Sequence, residues 1–310
     1  MLKELQETTV GQRTRRVHVR PFAWNLHAPT HMEWTPDGRL YVVERTTGKI
    51  MDITNGGDMD SAPPVVWDLE GPSSMCALPD GRMLVTEFWG GRIKDITEGG
   101  SAKALPTLAE HLNGPYSLTY SNSLGMAVTL RDSIAIGKSM LIDAETGHKQ
   151  VLVEGTPLIP PQGFWGFSPP SAWPDKYRQY ASCNDWNTVV DLANSPYSIA
   201  LAVTDMVVLI PKGKGPYAFT ELVHTHRLAT GLGWTGGMIQ HPFNDTLFIT
   251  LPHEGAVQAL DLRKPDDYSF QPPVVRNLAL ASCVRFSQSG ETMYVCSSAN
   301  GIVWEVEGAA

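Results

Sequence analysis

The chain has 310 residues, 42% of them hydrophobic, with 28 Gly, 23 Pro, a net charge of −8 and a pI near 5.6. Its Lys and Arg residues cluster only at Arg13, Arg15 and Arg16, so the basic footprint of a nucleic-acid binder is missing. No apolar run approaches the roughly 18 residues of a membrane span, and the polar opening Met1–Gln12 has no apolar leader core, which predicts a cytoplasmic protein with no membrane partner.

Residues 1–14 are expected to be a flexible leading segment of one domain that takes in the whole chain, 1–310. Arg16-Val17-His18-Val19-Arg20 alternates as a strand does, and could pair with the last strands of the chain or complete the first sheet. The stretch from Pro36-Asp37-Gly38-Arg39-Leu40 to Asp52-Ile53-Thr54 then recurs as Pro79-Asp80-Gly81-Arg82-Met83 to Asp95-Ile96-Thr97, at a constant offset of 43 residues. Each copy reads as strand, Pro-Asp-Gly turn, strand, Gly-containing loop and strand, which are the proportions of a propeller blade. A third unit has Tyr116–Tyr120 as inner strand and Gly125–Leu130 as the next. The fourth places an inner strand at Phe164–Ser168 and a second at Tyr180–Asn184, separated by a Pro-rich insertion. The fifth runs from Gly237–Gln240 to Leu247–Thr250, and the sixth from Cys283–Phe286 to Met293–Cys296, with Ile302–Val306 last. The fold class predicted is therefore all-β: a six-bladed β-propeller of four-stranded antiparallel blades around a central channel.

Cys76, Cys183, Cys283 and Cys296 lack the CxxC spacing of zinc or redox sites and sit in strand-like runs. They read as buried free thiols, with a Cys283 to Cys296 bridge between neighbouring strands left open. His224 and His226 alternate as on an outer surface strand.

In such a blade the start of the inner strand and the end of the second strand meet at one mouth of the channel. The repeat puts Thr30, His31, Ser73 and Tyr116 just before inner strands, and Glu44, Glu87 and Asn184 at the ends of second strands. Mouth loops add Arg45, Phe88, Trp89, Arg131, Asp185, Trp186, His253 and Glu254, while Trp165 and Trp234 flank inner strands. Glu44 and Glu87 are candidates for an acid/base pair or metal ligands, or are blade-repeat residues that hydrogen-bond nearby backbone or pair with Arg45 or Arg92. Tyr116 and His31 complete the catalytic set. Trp89, Trp234, Phe88, Trp165, Trp186, Asn184, His253, Ser73 and Thr30 form a substrate-binding set suited to a moderately apolar small molecule.

Across Ser74 to Thr97 the chain resembles six-bladed propellers of the NHL, senescence-marker-protein/gluconolactonase and strictosidine-synthase type. Val85-Thr86-Glu87-Phe88-Trp89-Gly90-Gly91-Arg92-Ile93 is also similar to a blade of the virginiamycin B lyase family. The gluconolactonase resemblance implies metal ligands at Thr30, Tyr116 and Gly236, none of which is a carboxylate, so no metal is expected at that site. The lyase resemblance implies channel-mouth His and Glu residues, and the strictosidine-synthase resemblance a channel Glu that needs no metal, which Glu87 or Glu44 could supply. Three functions follow. The first is a cofactor-free lyase or cyclase of specialised metabolism, cycloaddition included, with Glu87 moving a proton while Tyr116 or His31 orients the substrate. The second is a metal-dependent hydrolase holding a divalent ion with Glu44, Glu87, Asn184 and Asp185. The third is a non-catalytic propeller that binds a protein or peptide.

Overall fold

The computed structural model describes residues 4–10, 13–133, 136–158, 187–213 and 215–309. They form a six-bladed β-propeller, nearly all strand, with one short helix, Phe219–Thr225. Blade 1 contains Pro29–Trp34, Leu40–Glu44, Lys49–Asp52 and Val66–Trp67 from the channel outward. Blade 2 repeats this with Pro72–Ala77, Met83–Glu87, Arg92–Asp95 and Thr107–Ala109. Blade 3 has Leu118–Ser121, Gly125–Arg131, Ile136–Ile142 and Lys149–Pro157. Blade 5 begins with Met238–Gln240, Thr246–Leu251 and Ala256–Asp261, with a bridge from Val257 to Val275 beyond them. Blade 6 runs Ala281–Phe286, Thr292–Ser297 and Ile302–Glu307.

The two-copy motif has a definite physical task. Thr54 donates its hydroxyl to Asp52 Oδ1 (2.6 Å) and accepts the Leu40 N–H (2.9 Å); Thr97 does the same with Asp95 (2.6 Å) and the Met83 N–H (3.0 Å). Asp-x-Thr thus ties the end of the third strand to the start of the second. The Pro-Asp-Gly turns use Gly38 and Gly81 at φ of +84° and +94°, which only glycine adopts without strain.

The ring closes between chain ends. Arg13–Trp24 pairs antiparallel with Ile302–Glu307 as the fourth strand of blade 6, one of the two pairings expected for it. Within the leading segment expected to be flexible, Glu4–Val10 forms a further strand against Arg13–Val19.

Blade 4 differs from its expected position. Its inner strand is Thr188–Asp191, followed by Tyr197–Val203, Met206–Pro211 and Arg227–Thr230. The expected strands Phe164–Ser168 and Tyr180–Asn184 lie outside the described residues. His224 falls in the helix Phe219–Thr225 and His226 caps its C-terminus, so neither lies on a strand. Phe219 and Leu222, three residues apart on that helix, are its buried pair.

Among the described residues six buried apolar clusters occur, one at each blade interface. In Leu40–Glu44, Leu40 and Val42 pack toward blade 6 while Tyr41 and Val43 pack toward blade 2. Each blade is thus buried on both faces, so its strands read as continuous apolar runs and not as alternating ones.

Candidate functional site

Strand periodicity and the 43-residue repeat together define the channel wall. An upper ring is formed by His31, Ser74, Ser117, Thr188, Gly237 and Cys283, and two residues further along each strand a lower ring by Glu33, Cys76, Thr119, Val190, Ile239 and Arg285. Four upper-ring side chains accept a backbone N–H from the next blade. His31 Nδ1 takes that of Met75 (3.1 Å), Ser74 Oγ that of Leu118 (3.2 Å), Ser117 Oγ that of Val189 (3.1 Å) and Cys283 Sγ that of Met32 (3.4 Å). These bonds hold the inner strands side by side where no sheet ladder joins them.

Arg285 closes the channel between the rings. Its Nε and Nη2 donate to Glu33 Oε2 (3.3 and 3.1 Å), its Nη1 to the Val284 and Met238 carbonyls (2.8 and 3.4 Å), and its Nη2 lies 2.8 Å from His31 Nε2. Donors from Met75 and Arg285 converge on an imidazole that offers one acceptor when neutral and none when protonated. Burial first, and the Arg285 charge second, hold the His31 pKa well below its ordinary value. His31 is therefore a neutral structural acceptor at the waist of the channel.

Above this waist the open space is about 20 Å³, lined by Thr30, Ser73, Ser74, Tyr116, Ser117 and Ser282 among others, room for about one water. Below it, a cavity of about 230 Å³ opens at the opposite end, with Glu33, Asp191, Gln240 and His241 on an otherwise largely apolar wall. A groove of about 480 Å³ beside Phe219 belongs to the outer rim of blades 3 and 4.

In the lower cavity, burial pushes the Asp191 carboxyl up from its ordinary value, against hydrogen bonds from Ser121 and the Leu192 N–H. The folded chain thus holds this proton more tightly than the unfolded chain, and the stability this confers is full at low pH and lost as pH rises through the folded pKa. Asp191→Asn should accordingly gain stability relative to the parent at about pH 7 and lose that advantage near about pH 3. Urea melts at the two pH values check this; an advantage independent of pH would show that the carboxylate carries no such cost.

At the upper mouth, the Arg45 guanidinium lies over Phe88 (4.8 Å), Trp89 (5.4 Å) and Tyr116 (5.6 Å), and Arg131 lies over Phe88 (5.5 Å). One aromatic and cationic wall therefore spans blades 1 to 3. On blade 5, Trp234 stacks on His253 at 4.0 Å and 17°. Glu254 follows in an exposed loop above Gly233, where a Cβ would come within 2.5 Å of Glu254 Oε1. Partial burial displaces the two titrating groups in opposite directions, His253 down and Glu254 up, the latter moderated by Arg276.

The two glutamates singled out from the repeat have matching partners. Glu44 Oε1 accepts the N–H of His27, 17 residues earlier (2.9 Å), and Oε2 accepts the Thr47 hydroxyl (2.6 Å). Glu87 Oε1 accepts the N–H of Glu70, also 17 residues earlier (2.7 Å), and Oε2 pairs with Arg92 Nε. Both carboxylates are buried, and these bonds run into the mouth loops and not into the channel. Of the binding set, Ser73 and Thr30 line the channel top, and Trp89, Phe88, Trp234 and His253 stand in the mouth loops. Trp165, Trp186 and Asn184 lie outside the described residues. Sequence reasoning missed the Arg285–Glu33 waist and named Glu254 in a mouth loop without giving it a role; stepping His31 and Glu33 along the repeat would have found the ring positions.

Cys283 and Cys296 are free, buried thiols directly opposite one another on adjacent strands. No group of three or more His, Cys, Asp or Glu residues among the described residues could hold a metal ion. The metal position implied by gluconolactonase resemblance is occupied by Thr30, Tyr116 and Gly236, and one hydroxyl, one phenol and one glycine do not fit a hard divalent ion.

No protein-family model and no curated protein sequence matches the chain. Solved structures do. A gluconolactonase from Xanthomonas campestris superposes with a TM-score of 0.63 at 10% identity, over 98% of this chain and 94% of that one. A luciferin-regenerating enzyme gives 0.65 at 12% identity over 94% and 95%, and a streptogramin B lyase gives 0.52 at 10% over 94% and 98%. The likeness is one of fold. No helix of the described residues is long and apolar enough to cross a membrane.

Proposed function

We propose that this propeller is a small-molecule enzyme that works at its upper mouth, as a lyase or cyclase moving a proton on a moderately apolar substrate. The observation that carries this reading is the stack of the exposed His253 on Trp234 with Glu254 next in the chain, in a blade-5 loop that follows the strand Thr246–Leu251. A carboxyl displaced upward next to an imidazole displaced downward is the arrangement that lets one group give and the other take a proton near neutral pH. The substrate rests on the channel and cannot thread it, so its apolar body lies against Phe88, Trp89 and Tyr116. Enzymes among the structural neighbours, a gluconolactonase and a streptogramin B lyase by description, make such use of the fold a supporting analogy only.

Mass balance separates the candidate chemistries. Lyase ring-opening by elimination, or cyclisation by bond reorganisation, keeps the composition of the substrate, whereas hydrolysis adds a water. The protein should convert members of a panel of macrocyclic esters, lactones and polyene precursors to products of unchanged mass, with rates indifferent to a chelator. Products one water heavier that disappear on chelation would instead establish a metal-dependent hydrolase. Absence of both turnover and any ligand-induced rise in melting temperature would leave a binding scaffold.

A further inference from the structure

We propose that Cys283 and Cys296 form a peroxide-responsive thiol pair that closes to a disulfide across the first two strands of blade 6. The register pairs the two residues directly, Cys283 with Cys296, next to a bulge at Ala281. Opposed residues of antiparallel strands hold their Cβ atoms about 4.5–5.5 Å apart, and a disulfide needs about 3.5–4.5 Å, so closure asks for only a small local shift. Both thiols belong to the same buried cluster at the interface with blade 1.

Cys283 is set apart from an ordinary core cysteine by the donors around it. The Met32 N–H points at its Sγ (3.4 Å), Arg285 Nη1 stands 3.6 Å away, and the Cys296 thiol hydrogen-bonds to it. Burial opposes ionisation, yet these donors outweigh it and bring the Cys283 thiol down to about 7, while burial and the neighbouring Cys283 push Cys296 well up. One proton is thus shared unevenly, leaving Cys283 as the nucleophile and Cys296 as the resolving thiol. Arg285, whose Nη1 stands 3.6 Å from Cys283 Sγ, lines both the upper space and the lower cavity, and hydrogen peroxide has to pass this side chain to reach the buried thiol.

The chemistry balances with hydrogen peroxide as oxidant. The Cys283 thiolate attacks one peroxide oxygen, an S–O bond forms, the O–O bond breaks, and the departing hydroxide takes a proton to become water. Cys296 sulfur then attacks the sulfenic sulfur, the S–S bond forms, the S–O bond breaks and a second water leaves. The thiols lose two electrons in all, and the peroxide gains them. Cys76 lacks such an arrangement; burial alone dominates it and drives its pKa up.

The test uses the full chain, exposed to hydrogen peroxide while folded, then denatured, alkylated and mapped by mass spectrometry. The expected result is a loss of two hydrogen atoms localised to a Cys283–Cys296 crosslink that a thiol reductant reverses, with Cys76 still alkylated. In Cys296→Ser, dimedone should instead label Cys283 as the trapped sulfenic acid. A crosslink to Cys183 or Cys76, or full alkylation of both Cys283 and Cys296 at peroxide doses that oxidise the surface methionines, would overturn the proposal. Mapping of the unmodified sequence keeps the test decisive if the variant fails to fold.

Discussion

Arg285→Met is expected to lower the unfolding free energy by about 3–5 kcal/mol, the usual effect of stripping one partner from a buried ion pair. The arginine is nearly inaccessible; its N–H groups go to Glu33 and to the Val284 and Met238 carbonyls, and its Nη2 lies against His31 Nε2. Methionine restores most of the apolar volume but none of those donors, so Glu33 is left as a partly buried carboxylate that keeps the Trp34 N–H but loses its cation. The same substitution takes away the positive charge that helps hold down the His31 pKa, although burial, the larger cause, persists. Adding Glu33→Gln removes the stranded charge, and the double variant should therefore be less destabilised than Arg285→Met alone. Urea denaturation of the parent, Arg285→Met and the double variant gives the comparison. Equal stability of Arg285→Met and the parent would mean that the waist of the channel contributes nothing to the fold.

How much of this was legible in the sequence depends on whether a residue obeys the repeat or breaks it. The obedient positions were readable: Asp52 and Thr54 reappear as Asp95 and Thr97, the turns as Gly38 and Gly81, and the structure gives each pair identical hydrogen bonds. Identity between blades is itself a physical clue. A residue that a blade needs for its own backbone recurs with the repeat, as Glu44 of blade 1 does at Glu87 of blade 2, each taking an N–H from 17 residues earlier. A site, by contrast, is asymmetric, and asymmetry has no period to reveal it. His31, Ser74 and Ser117 occupy one ring position with two chemistries, and only blade 6 puts an arginine in the lower ring. Blade 4 escaped because its inner strand, Thr188–Asp191, is only four residues long, and the apolar runs earlier in the sequence carry the same signal. His224 and His226 imitated a strand for a related reason: alternation over three residues also fits one turn of helix.

Glu254→Gln is expected to lower turnover by about 10²–10⁴-fold, the range for loss of a positioned general acid or base, once a substrate has been found by the mass-balance screen. The substitution keeps size and polarity in an exposed loop, so folding stability should change little. Because partial burial raises the Glu254 pKa and lowers that of His253, the parent should show a bell-shaped profile narrower than ordinary Glu and His values would give. Its acidic limb belongs to Glu254 if the carboxylate is the base, and should vanish in Glu254→Gln while the basic limb remains. Glu87→Gln serves as the contrast. Its carboxylate is fully buried, bonded to the Glu70 N–H and paired with Arg92, so this change should lower the melting temperature while leaving turnover per folded molecule near that of the parent. The reverse outcome, chemistry lost in Glu87→Gln and kept in Glu254→Gln, would move the proton transfer to the second blade and require the Glu87–Arg92 pair to open during the reaction.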